Sequence, residues 1–486
     1  MARPNILYIC ADQHSYRFTG FGGHPLVQTP NLDRLAARGA VFRNAYCGSP
    51  VCVPGRACLM TGTFASDNNS FCNSTVWDGT HPTWGTLLRG ASLRTFAVGK
   101  LDLNGDCDLG FEDLGVSNSH WKNADICSLF RRPLLGYRES SGRLLSQRLR
   151  EERHTDAEVA RTAAEFITGR SVELQDPWAL WVGFHQPHPP FSCLRRYFDL
   201  YPLDRIDLPE ETAEDIENSH LVYQMKRAIP AHLAPAEEEL LRRIRAAYFA
   251  MITELDEYVG QLLAALQASG QAENTLVIYT SDHGEQLGEH GQWGKNTLYE
   301  DSAHVPLLLA GAGVPGSLQI DAPVGHVDLV PTMLETAGGS GPSSLRGHSL
   351  WPLLNGQADG HPGFAYVENH SGENCTGAYA IREKEWKYMH FTWFDDALYN
   401  LADDPGERCN LIDEPGAWGQ ADRMRARLEA LVDPEEVTRR AFEVQKRFLD
   451  RFVAERTEDE LAAAFSRLGP AYARAMAVKC KTGSLG

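Results

Sequence analysis

The chain has 486 residues, 43% apolar and 23% charged, and no run approaches the ~20 uninterrupted apolar residues of a membrane span, so no membrane-spanning helix is expected. Its net charge of −18 argues against nucleic acid or an anionic membrane surface as a partner, because both call for a basic face. The length exceeds what one core serves and predicts a large domain carrying a smaller one.

The first segment, Asn5–Ala11, reads as a buried strand that ends at Asp12. Its apolar run is too short for a signal peptide and stops at an acid. A cytoplasmic location is therefore expected, and eleven cysteines without Cys-x-x-Cys pairs suit the reduced thiols of that compartment. Strand-like and helical patterns then alternate through 31–38, 93–98, 157–168, 178–184, 240–267, 275–280 and 305–309. Such alternation predicts an α/β sandwich with a mostly parallel sheet, whose ligands gather beyond the carboxyl ends of strands. Asp12, the pair His185 and His188, and Asp282-His283 each follow a strand-like run, which predicts one shared rim.

The stretch 338–344, Gly-Gly-Ser-Gly-Pro-Ser-Ser, reads as a loop, and the pattern changes after it. Segments at 378–382, 386–391 and 397–400 suggest an antiparallel meander, and 434–477 is strongly helical. The expected division is a catalytic α/β domain over 1–355 and a smaller α+β domain with a helical tail over 356–486. The charged tail fits either a solvated cap or a homo-oligomer contact.

The most informative segment is Cys52-Val53-Pro54-Gly55-Arg56-Ala57-Cys58-Leu59-Met60-Thr61-Gly62. A cysteine precedes a Pro-Gly turn, and Arg56 opens a helical pattern whose free amides favour anions. Together with Pro4-Asn5-Ile6-Leu7, Thr29-Pro30-Asn31-Leu32-Asp33, Val98-Gly99-Lys100, Pro187-His188-Pro189-Pro190-Phe191 and Thr280-Ser281-Asp282-His283-Gly284-Glu285-Gln286-Leu287-Gly288, this segment resembles the type I, formylglycine-dependent sulfatases of the alkaline-phosphatase superfamily. Within them the chain is most similar to the choline sulfatase and phosphonate monoester hydrolase branch.

The resemblance implies an alkaline-phosphatase-like fold and a Cys52 converted to 3-oxoalanine (formylglycine) by a formylglycine-generating enzyme. The hydrated aldehyde would serve as nucleophile, its second hydroxyl expelling sulfate without water attack. It implies one divalent metal ion on Asp12, Asp282, His283 and the modified Cys52. Gln13 either joins that shell or orients Asp12. The imidazole ligand keeps Mn2+ beside Ca2+ as the ion. Arg56, Lys100 and Lys295 match the family's cations for a small anionic ester, and His188 matches the histidine at the ester oxygen. Asn73, 21 residues after Cys52, matches a substrate-contacting asparagine, whereas His185 has no counterpart and is read as accessory.

One departure stands out. Many sulfatases read Gly-Lys-x-His where this chain reads Gly99-Lys100-Leu101-Asp102, so Asp102 replaces the histidine as a base, binds a cationic part of the substrate, or pairs with Lys100. The expected activity is hydrolysis of a sulfate monoester, with phosphonate monoester or phosphodiester hydrolysis, and then an inactive binding scaffold, as alternatives. Trp77, Trp84 and Trp121 are candidates for an aromatic cage that would mark a quaternary ammonium substrate.

Overall fold

The computed structural model describes residues 3–115, 118–120, 126–129, 148–152, 154–209, 212–227, 237–371, 374–465 and 470–482. The strands of the central sheet are β1 (Asn5–Ala11), β2 (Gly39–Phe42), β3 (Arg94–Leu103), β4 (Glu112–Asp113), β5 (Asn118–His120), β6 (Trp178–Gly183), β7 (Thr275–Ser281), β8 (Leu307–Ala310) and β9 (Leu318–Ile320). Their order is β9-β2-β8-β7-β1-β6-β3-β4, with β5 also on β3. Among the described residues β8 alone runs against its neighbours β7 and β2, and the remaining pairs are parallel.

Why the interior strands are apolar on both faces follows from what covers them. Every residue of β1 is buried. Leu7, Ile9 and Ala11 pack beneath α3 (Asp156–Thr168) and α4 (Glu238–Ala268), while Ile6, Tyr8 and Cys10 pack toward α2 (Cys52–Thr61) and α5 (Leu329–Thr336). Period-two alternation between two dry layers leaves no polar position until the strand ends. Helix α1 (Pro30–Arg38) joins the first layer through Leu32 and Leu35.

A second sheet is antiparallel in the order β10 (Phe364–Asn369), β11 (Ala378–Glu383), β12 (Trp386–Phe391), β13 (Ala397–Asn400). Helices α6 (Trp418–Leu431) and α7 (Pro434–Ala454) cover it through Met424, Leu428, Val437 and Ala441. The last helices, α8 (Glu458–Ala464) and α9 (Pro470–Lys481), fold back with α7 onto Cys72, burying Leu461, Phe465 and Met476. Part of the tail's apolar face is thus covered by its own chain. Among the described residues no helix is long and apolar enough to cross a membrane.

Candidate active site

Sheet register builds the rim. Ala11 pairs with Ser281, Cys10 with Gly183, and Gly183 with Gly99, so four adjacent parallel strands, β7, β1, β6 and β3, reach the rim within one residue of the same level. Asp12 and Asp282 follow the ends of β1 and β7, Lys100 lies within the last residues of β3, and all three are buried. Helix α2 brings Cys52 and Arg56 to them, four residues apart and hence on one helical face. Gly55 lies between, and a Cβ there would come within 2.7 Å of the Ser49 carbonyl and 3.0 Å of the Asp282 carbonyl; glycine permits this approach of helix to strand end.

The Arg56 guanidinium, fully buried, ties the layers together. Its Nε donates to Asp282 Oδ2 at 2.9 Å, one Nη donates to the Lys100 carbonyl at 3.1 Å, and the other lies 3.7 Å from Asp12 Oδ2. Lys100 Nζ also contacts Asp12 Oδ2 and lies 3.1 Å from Asp102 Oδ2. Burial alone would raise the Asp12 carboxyl, yet Lys100, His188, Lys295 and Arg56 outweigh it and hold Asp12 well below the usual carboxylate range. Asp282 is lowered too, because His283, Arg56 and Lys100 overcome burial and the charge of Asp12.

Asp12, Cys52, Asp282 and His283 offer ligand atoms that all lie within 4.8 Å of one another. Two atoms each about 2.4 Å from one cation are no farther apart than that, so the group fits a single divalent ion. The His283 Nδ1 donates to the Gly284 carbonyl at 3.0 Å, so Nε2, 3.3 Å from Cys52 Sγ, is the ring nitrogen that would turn its lone pair to a cation. Asp12 Oδ1 is buried with no hydrogen-bond donor, an acceptor that a cation would satisfy.

Lys295 reaches the group from the loop after β7. Its Nζ lies 2.7 Å from Cys52 Sγ and 3.0 Å from His283 Nε2, and donates to Gln13 Oε1 at 2.9 Å. Burial pushes the Cys52 thiol up, but Lys295, Lys100 and His283 together hold it well below its ordinary value. Gln13 has φ +70°, its N–H donates to Asp282 Oδ1 at 3.0 Å, and its side-chain oxygen is engaged by Lys295.

His188 ends a turn after β6. Its Nδ1 donates to the Pro189 carbonyl at 2.6 Å, and its charge acts on Asp12. His185 faces away onto buried Asp156, 3.2 Å from its Nδ1. The Asn73 Oδ1 accepts from the Val53 N–H at 3.2 Å, supplying a cap that Val51 lacks at the start of α2. Trp77 and Trp84 are buried in the main core, Trp84 stacked on Tyr8 at 5.9 Å between centroids; Trp121 lies outside the described residues. Two residues to which the motifs gave no role are prominent here. Asp156 holds the His188 turn, and Glu285 holds Gln13.

The chain matches the family model described as Sulfatase over residues 4–340. It belongs to the sulfatase family. Residues 288–433 of this sulfatase also match the model described as N-sulphoglucosamine sulphohydrolase, C-terminal. It is 30% identical to an arylsulfatase K of Danio rerio over 89% of this chain and 84% of that protein. It is 32% identical to a choline-sulfatase of Rhizobium meliloti (strain 1021) over 85% of this chain and 83% of that protein. Its structure is similar to that of a phosphonate monoester hydrolase of Agrobacterium radiobacter, with a TM-score of 0.75 and 26% identity over 88% of this chain and 95% of that one. This sulfatase is a sulfuric ester hydrolase whose family carries a metal ion and a cysteine-derived formylglycine.

Proposed function

We propose that the protein hydrolyses a small sulfate monoester at residue 52. The observation that carries this reading is one buried group holding the Cys52 position, three metal-ligand side chains and the Lys295 and Lys100 ammoniums. Asp12, Asp282, His283 and residue 52 would hold a divalent cation, which would supply Lewis acidity and ease ionisation of the nucleophile. Formylglycine at residue 52 would supply, when hydrated, a second hydroxyl whose loss of a proton reforms the aldehyde and expels sulfate from the other oxygen without attack by water.

The chain's own residues do the rest. Arg56 neutralises Asp12 and Asp282 and fixes helix α2 against the strand ends. Lys100 and Lys295 stay charged, since the acids and Cys52 around them raise both amines against the effect of burial. They can therefore receive the charge of a sulfuryl group in transfer. The Nδ1 proton of His188 is committed to Pro189, so the ring donates to the ester oxygen from Nε2 as an imidazolium. Asn73 holds the start of α2 and so places residue 52.

Calcium and manganese both suit this donor set of two carboxylates and an imidazole. The free cysteines among the described residues support a reducing, cytoplasmic setting in which a formylglycine-generating enzyme acts before use. Residues 1–355 and 356–486 are proposed as catalytic and accessory domains, and the exposed remainder of the tail as a contact between copies.

The deciding experiment compares kcat/KM for 4-nitrophenyl sulfate and 4-nitrophenyl phenylphosphonate on one preparation of defined residue-52 modification. Sulfate is expected to be preferred by about tenfold or more, a difference of about 1.4 kcal/mol in barrier. The similarity to a phosphonate monoester hydrolase, together with Asp102 in place of an imidazole, favours the second reading, and a preference for the phosphonate would establish it.

A further inference from the structure

We propose that Glu285 is a positioning residue for Lys295, acting both through the amide of Gln13 and through the backbone beside the lysine; this rests on the reading of the site as a sulfate-ester hydrolase. Glu285 is fully buried two residues beyond the metal-ligand candidate His283. Its Oε1 accepts the Leu287 N–H at 2.9 Å and the Gly294 N–H at 2.7 Å, and so closes the loop whose next residue is Lys295. Its Oε2 accepts from Gln13 Nε2.

That last bond settles the amide's orientation. With the NH2 end of Gln13 committed to a carboxylate, the oxygen must face the other way, where Lys295 Nζ donates to it at 2.9 Å. The backbone of Gln13 is fixed independently, by Asp282 Oδ1 on its N–H and by the Tyr248 hydroxyl, 2.7 Å away, on its carbonyl. A lysine has four flexible torsions and three donors, and on its own does not hold a point in space. Here one carboxylate fixes the loop at Gly294 and the acceptor at the tip, and the ammonium rests 2.7 Å from Cys52 Sγ. On the sulfatase reading this holds the ammonium beside the reacting atom as the charge assigned to the oxygen that leaves.

Glu285→Gln tests the relay. If its single oxygen keeps the two backbone amides, its NH2 faces the NH2 of Gln13, which must rotate and turn that NH2 toward the ammonium. Wild type, Glu285→Gln, Lys295→Ala and the double variant are compared by kcat/KM across aryl sulfates of graded phenol acidity, with thermal unfolding of each. Glu285→Gln is expected to lose about 30-fold on the poorest leaving group and under about threefold on the best, and under about threefold on all of them when Lys295 is already alanine. Equal loss across the series, or the same loss in both backgrounds, overturns the relay.

If Glu285→Gln does not fold, Gln13→Met carries the same cycle, because it removes the amide link and leaves the bonds to Leu287 and Gly294. A wild type that turns over no aryl sulfate overturns the sulfatase reading and the relay with it. An active wild type whose variants show no dependence on Lys295 overturns the relay alone.

Discussion

Asp102 adopts φ +51° at the end of a buried strand, and its Oδ2 lies 3.1 Å from Lys100 Nζ. Of the three roles its sequence position allowed, the ion pair with Lys100 is the one this geometry favours. Asp102→Asn is then expected to lower kcat/KM by about tenfold with no pre-steady-state burst. Stoichiometric release of phenol followed by accumulation of sulfated enzyme would instead make Asp102 the base that frees the nucleophile. Legibility at this scale depended on motif. Asp12, Cys52, Arg56, Lys100, Asp282, His283 and Lys295 were named from short patterns, and the structure brings them together. Gln13 and Glu285 meet across 272 positions of sequence, and no local pattern encodes such a partner. Trp77 and Trp84 show the converse, since composition offered them for a cage and packing places them in the core.

The turn after β6 shows how an element is held to its task. Asp156, the first residue of α3, accepts the His185 N–H at 3.0 Å and the Gln186 N–H at 2.9 Å, and the Gln186 carbonyl accepts the Asp12 N–H at 3.2 Å. The turn that presents His188 is therefore clamped between a helix start and a metal-ligand candidate. Asp156→Ala leaves the buried Gln186 N–H and the part-buried His185 N–H without their acceptor, at a cost of about 2–4 kcal/mol. Urea unfolding is expected to show that loss, and steady-state kinetics a fall in kcat that exceeds any change in KM. A stable variant with unchanged kcat would remove the clamp from the account. Long periodic elements were legible in the sequence within a residue or two, among them α3, α4 and β12. Strands β2 and β9, of four and three residues, carry too little pattern to be read. The helical stretch 434–477 is interrupted where Thr457 and Glu460 form a fresh capping box, a stop that its uniform charge concealed.

A charge network joins the second sheet to Tyr46 and Glu300. Lys387 on β12 is fully buried, 2.8 Å from Glu300 and 2.9 Å from Glu407, while the Tyr46 hydroxyl donates to Glu300 at 2.9 Å and Arg382 donates to Tyr46 at 2.9 Å. Replacing Lys387 by methionine leaves the Glu300 carboxylate without its ammonium and is expected to cost about 3 kcal/mol in urea unfolding. Burial, opposed by Lys387 and reinforced by Glu300, raises the Glu407 carboxyl to about 8 from an ordinary 4.5. Between those values the unfolded chain releases a proton that the folded chain keeps, so this group costs stability as pH rises across the window. Glu407→Gln is accordingly expected to gain on wild type between pH 5 and pH 8, and parallel stability curves would contradict the assignment. That a second sheet follows residue 356 was legible from the changed pattern. The ion network that anchors it through Glu300 and Tyr46 was not, because Lys387 reads as surface until its partners are placed. Above all these stands the claim that residue 52 performs the chemistry. It is tested most directly by preparing the protein with graded fractions of Cys52 oxidised to the aldehyde, quantified by peptide mass, and measuring sulfate release per chain. The account predicts turnover proportional to the aldehyde fraction and falling to near zero without it, and equal turnover by chains that retain the thiol would contradict it.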